Sequence, residues 1–206
     1  MNVKTSGKWL PVMLNKAKRE LDRLMLGNRN FVNGTPTEKN MSVETLQKFA
    51  FHQAPDAMVL SCSDSRAVPE IIFDCGIGEL FVIRVGGIAA GPNVVESIEY
   101  GVKKLKLPLL ILLGHDDCGV MHYACDSYPS QPENFESIMN CVYPVFEKYA
   151  PIADNNDFSR KHTFWVEQML LERSKVIKEA VENRRLYIAK CHLDHLTGKV
   201  EILNSI

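Results

Sequence analysis

The order of apolar segments predicts an α/β fold: a mainly parallel central sheet with an edge strand, helices on both faces, and an extended N-terminal helical arm. Three observations predict it. Short apolar runs at 57–60, 79–85, 109–113 and 186–191 alternate with longer stretches of helical spacing. The run at 109–113 is continuously apolar between Pro108 and Gly114, as a strand buried on both faces requires. A last short run, 200–203, follows the turn Leu196-Thr197-Gly198-Lys199 and reads as the edge strand.

The remaining elements follow in chain order. Leu14, Ala17, Leu21, Leu24 and Phe31 recur near helical spacing, with Lys16, Lys18, Arg19 and Arg23 between them, so 12–31 is an amphipathic helix in need of a surface to lie on. A turn-rich linker at 34–40 leads to a short helix at 42–51, opened by a Ser cap. After the strand at 79–85 comes the glycine-punctuated GGIAAGP, then a helix over 94–106. Helical patterns fill most of 134–150 and 160–183. The whole chain, 1–206, reads as one domain, with 1–40 as the arm and 41–206 as the sheet-containing core.

Composition narrows the function classes. At 206 residues and 46% hydrophobic, the chain can bury a sizeable core, and a net charge of -1 offers nothing for nucleic acid or an anionic membrane to capture. No apolar run is long enough to span a bilayer. The first residues lack the apolar stretch of a secretory signal, so the location reads as cytoplasmic; the absence of acidic residues before Glu20 leaves an organellar leader as the alternative. Six cysteines in a chain of this length read as reduced thiols rather than a disulfide framework. Cys75, Cys125, Cys141 and Cys191 read as small buried hydrophobes.

Cys62 and Cys118 keep other company. The first strand runs straight into Cys62-Ser63-Asp64-Ser65-Arg66, and the third into His115-Asp116-Asp117-Cys118. In a parallel sheet both turns lie at the carboxyl ends of the strands, where open α/β sheets bind ligands. Two sulfurs and a nitrogen suit zinc, and three protein ligands leave a fourth position open, the mark of a catalytic rather than a structural site. A structural zinc completed by His122 or Cys125, or a redox pair between Cys62 and Cys118, are the competing readings. The redox pair leaves His115, Asp64 and Arg66 unexplained.

From about Leu14 to Leu203 the sequence resembles the β-class carbonic anhydrases, through CSDSRAVPEIIF, GELFVIR, SIEYGVKKL, GHDDCG and TGKVEIL in that order. The resemblance implies a zinc lyase with one Zn2+ per chain, hydrating CO2 reversibly to bicarbonate by way of a zinc-bound hydroxide. Cys62, His115 and Cys118 match the zinc ligands. Asp64 and Arg66 match the catalytic dyad, in which the carboxylate manages the water and the guanidinium keeps the carboxylate off the metal. Gln53, Phe81, Tyr100 and Gly119 match substrate-pocket residues, with Gln53 and an aromatic residue completing a neighbour's pocket. A homodimer or tetramer is therefore expected. Phe81 and Tyr100 serve equally well as ordinary core.

Departures from the family pattern carry expectations of their own. RVGGI replaces an Asn-rich turn, so Gly86 and Gly87 remove bulk near the site, and Asp116 stands where Ser is usual. Val59 occupies the position of a Trp that some members use, with the counterpart of Arg84, to bind regulatory bicarbonate; KCHLD likewise replaces a glycine-tyrosine pattern. No such regulation is expected here, and Arg84 is expected to pair with a carboxylate or face solvent. The alternative functions are hydrolysis of COS or CS2 on the same fold, and a non-catalytic zinc-binding protein.

Overall fold

The computed structural model describes residues 10–39, 41–130 and 134–203, with side chains of the first helix from residue 15 onward. Its nine α-helices and five strands, among the described residues, are α1 (Leu10–Val32), α2 (Val43–Lys48), β1 (Ala57–Ser61), α3 (Pro69–Ile72), β2 (Leu80–Arg84), α4 (Pro92–Lys103), β3 (Leu109–His115), α5 (Gly119–Ser127), α6 (Glu136–Val142), α7 (Pro144–Lys148), α8 (Asn155–Arg173), α9 (Lys175–Glu182), β4 (Tyr187–Leu193) and β5 (Val200–Ile202). The strands form one sheet in the order β2-β1-β3-β4-β5. All pairings are parallel except β4 with the edge strand β5.

Alternating side chains divide the core between the two faces of the sheet. Met58 and Leu60 of β1 and Leu110 and Leu112 of β3 join a large cluster with α4, α8 and α9. Val59, Leu109, Ile111 and Leu113 face the opposite cluster, which contains Ala17, Leu21 and Leu24 of α1 and Ile72 of α3. The described apolar face of α1 is thus seated on the chain's own sheet, and it gives no argument for a partner. Leu14 lies outside the described side chains.

Two residues bind α1 there. A Cβ on Gly27 would fall 2.0 Å from the Phe73 carbonyl oxygen, so only glycine permits this approach. Buried Asn28 donates from Nδ2 to the carbonyls of Ile72 (3.2 Å) and Gly198 (2.9 Å), while its Oδ1 accepts from Val200 N–H (2.9 Å). The helix is joined at once to α3 and to the hairpin before β5.

The two long helical patterns are each broken in two. Pro144 cannot continue α6 and opens α7 instead. Ser174 ends α8 and caps α9, its side chain accepting from Ile177 N–H at 3.1 Å. Two short helices, α3 and α5, follow the Cys62 and Cys118 turns; α3 opens on Pro69, a favoured first helical residue, and the spacing of so few residues shows no period.

Candidate metal centre and active site

The strand order reverses between β1 and β3, and a switch point of this kind opens a crevice at the carboxyl ends of the strands. Cys62 follows β1 directly, while His115 ends β3 and Cys118 caps α5. Their ligand atoms lie within 4.8 Å of one another, and all three residues are buried. Nδ1 of His115 donates to the Asp116 carbonyl at 2.8 Å, whereas buried Nε2 has no hydrogen-bond partner.

Electrostatics favour a cation among these groups. A hydrogen bond from Cys118 lowers the Cys62 thiol to about 4 against the opposing effect of burial, with His115 and the backbone N–H groups of Asp64 and Gly87 adding to it. Gly87 N–H lies 3.3 Å from the sulfur. Cys118 is pushed up by that same thiolate and by burial, so the two sulfurs share a proton that a divalent ion would displace. Burial opposes charge on His115, but the Cys62 thiolate and the Asp116 carbonyl outweigh it and raise its pKa. An orphaned imidazole nitrogen beside two sulfurs is a donor set that fits zinc.

Beside this group Arg66 grips Asp64 through both oxygens: Nε to Oδ1 at 3.0 Å and Nη2 to Oδ2 at 2.8 Å. Its own backbone N–H adds a bond to Oδ1 at 2.9 Å. Arg66 is the chief reason the Asp64 carboxyl is held well below the usual carboxylate range, burial pulling the other way. Arg84 is exposed, as expected, and it also donates from Nε to the Cys62 carbonyl (3.0 Å) and from Nη2 to the Asp64 carbonyl (2.6 Å). It holds the backbone of the loop that carries Cys62 and Asp64.

The other expected pocket residues divide. Gly119 begins α5 next to Cys118, with open space where a Cβ would be. Gln53 lies in the loop leading into the amino end of β1, whereas Cys62 follows the carboxyl end of that strand. Phe81 pairs with Met58 in the amino-terminal half of β2 and stacks on half-exposed Tyr100, with ring centroids 6.2 Å apart. None of these three lies in the turns that carry Cys62, His115 and Cys118. Bulk missing at Gly86 and Gly87 opens no pocket either, because Val120 lies 2.7 Å from a Cβ built on Gly87, and Ile138 and Val120 flank Gly86.

Sequence reasoning missed several polar neighbours. Asp117 accepts from Arg66 Nη1 at 3.3 Å through Oδ2 and holds His122 Nε2 at 2.7 Å through Oδ1. His122 also meets Asn155, and Asn156 accepts from Asp117 N–H at 2.9 Å, so the start of α8 steadies the turn. The His195 ring lies tilted at 34° against the His115 ring, centroids 4.8 Å apart, and borders a cavity of about 160 Å³ with Phe31, Arg66 and Leu193. His192 is buried, which lowers its pKa against the pull of Asp116. The available signals were the paired aspartates of GHDDCG and the two histidines of CHLDH, at the ends of neighbouring strands.

Comparison with known proteins decides the family. A family model described as carbonic anhydrase matches residues 57–200. The chain belongs to the β-carbonic anhydrase family. Carbonic anhydrase 2 of Mycobacterium tuberculosis is 33% identical over 86% of this chain and 86% of its own length. A carbonic anhydrase of Pseudomonas aeruginosa is 42% identical over 78% of this chain and 79% of its own. Among solved structures, a tetrameric β-carbonic anhydrase of Sordaria macrospora superposes with a TM-score of 0.66 at 26% identity, covering 78% of this chain and 86% of that one. Family membership implies a lyase-type enzyme. No helix among the described residues is long and apolar enough to cross a membrane.

Proposed function

We propose that this chain catalyses the reversible hydration of CO2 to bicarbonate with one Zn2+ held by Cys62, His115 and Cys118. The observation that carries the reading is the convergence of three ligand atoms within 4.8 Å, one an orphaned imidazole nitrogen, beside a carboxylate already gripped by an arginine. When bound, zinc supplies a Lewis acid that acidifies a water, an effect for which carbonic anhydrase is the standard example. Asp64 accepts a hydrogen bond from the attacking oxygen and turns a lone pair toward CO2. Arg66 occupies both Asp64 oxygens and so keeps that carboxylate from filling the open coordination position. Arg84 and Gly119 shape the floor, the first by bracing the loop and the second by leaving its space clear.

Substrate contacts from Gln53, Phe81 and Tyr100 then come from a second copy, and the working protein is a homodimer or tetramer. An exposed apolar stretch on the Gln53 side supports this: Met41, Val43 and Leu46 are largely exposed and Phe51 is 99% exposed. Six free cysteines accord with a reducing, cytoplasmic setting. Stopped-flow CO2 hydration on zinc-quantified protein is the test, with COS turnover measured in parallel. Hydration that tracks zinc content is expected. COS turnover without CO2 hydration would overturn the assignment.

A further inference from the structure

Asp116 spends all three of its polar groups on one task. Its carbonyl accepts from Nδ1 of His115 at 2.8 Å, and its N–H donates to the Leu193 carbonyl at 3.0 Å. Its Oδ1 takes the Nε2–H of His192 at 2.8 Å. The carbonyl that orients the ligand imidazole therefore belongs to a residue fixed to the end of β4 by both backbone and side chain.

His192 is placed for this by the sheet itself. In the β3–β4 register it sits opposite Gly114, the residue before His115. A Cβ on Gly114 would meet Nδ1 of His192 at 3.2 Å and Oγ1 of Thr163 at 2.7 Å, so the absent side chain is what admits the buried ring. On another side, Ser159 Oγ donates to the His115 carbonyl at 2.9 Å, so the main chain of the ligand is held as well.

We propose that Asp116 and His192 act as one positioning pair for His115: their contact sets the carbonyl that holds Nδ1, and thereby aims Nε2 at the metal. Neither touches the ligand sulfurs or the dyad in the contacts described above. The pair acts through the imidazole alone, and its loss should weaken metal binding by the roughly 10- to 100-fold common for groups that orient a ligand histidine. The inference rests on reading Cys62, His115 and Cys118 as a metal site.

The test is zinc affinity of the apo-protein by chelator competition, together with the absorption spectrum of the Co2+-loaded protein, in folded variants. Asp116→Ala and His192→Phe should each weaken zinc about 10- to 100-fold and shift the Co2+ bands. The double variant should lose no more than either single one, because the pair is one unit. Asp116→Asn keeps an acceptor for Nε2–H and should stay within about threefold of wild type, a rescue that general loss of packing does not predict. If His192→Phe does not fold, the contrast between Asp116→Ala and Asp116→Asn still decides. Wild-type affinity in Asp116→Ala, or losses that multiply in the double variant, would overturn the pair. A wild-type protein that binds no zinc would instead overturn the metal site.

Discussion

The two edges of the sheet differ in how completely one chain finishes them. At the carboxyl edge, Cys62, His115 and Cys118 are buried, Asp64 is tied to Arg66, and Arg84 holds the loop beneath. At the amino edge, Gln53 is exposed on a segment with Phe51 99% exposed, and Tyr100 is half exposed. Metal and dyad need only the local order of strands and turns. The substrate wall proposed for Gln53 and Tyr100 needs a surface that this chain leaves open to solvent. The difference teaches that metal binding and turnover should be separable by mutation, one edge at a time.

The largest effect should come from breaking the finished edge. Cys118→Ser should lower bound zinc from about one per chain to a small fraction, with CO2 hydration falling in parallel; elemental analysis after gel filtration reads this directly. Asp64→Asn should leave zinc near one per chain yet reduce kcat/KM by about 100-fold, since the amide offers a weaker acceptor and leaves Arg66 unbalanced. A fully active Asp64→Asn enzyme would remove the dyad from the mechanism.

The same contrast explains what was readable in the sequence. Cys62 and His115-Cys118 sit within five residues of apolar strand runs, so their convergence follows from parallel strands and their common edge. Asp64 and Arg66 are two residues apart and could be paired by inspection. The bracing role of Arg84 went unread because its partners are carbonyls, which every residue has and no motif announces. His192 and His195 went unseen because their roles depend on the register of β4 against β3, a relation between segments about 75 residues apart. The breaks at Pro144 and Ser174 were visible as residues, but the surrounding helical periodicity hid them.

A third prediction joins the two edges. Gln53→Ala should keep zinc and lose activity, by about tenfold if the lost group is one hydrogen bond to substrate. Mixing Gln53→Ala with Asp64→Asn under conditions that exchange subunits should restore activity at about a quarter of sites, because random dimers contain one wild-type combination in four. Recovery measured against unmixed controls sharpens the comparison. No recovery, with exchange verified by mass spectrometry, would place Gln53 in its own chain's pocket or in none.

The smallest effect on turnover at neutral pH is expected from His162, in the core beneath the carboxyl edge. This α8 residue is wholly buried, and neither ring nitrogen has a hydrogen-bond partner. Burial pushes its pKa down to about 4, only partly offset by the Gly87 backbone. In the unfolded chain it titrates near 6.5, so the unfolded state takes up the proton first as pH falls. Its stabilising effect is therefore complete above pH 6.5 and declines as pH falls toward 4. With a shift of this size the loss reaches about 2 kcal/mol by pH 5 and about 3 kcal/mol at the limit. His162→Phe removes the titrating group and keeps an apolar ring of similar size, so its urea midpoint should fall less than that of wild type between pH 7 and pH 5. His192 and His195, also lowered by burial, retain a residual slope of the same sign in both proteins. Equal slopes in wild type and variant would mean that the His162 imidazolium finds a hydrogen-bond acceptor in solution, and that the core beneath the metal edge is less dry than its packing indicates.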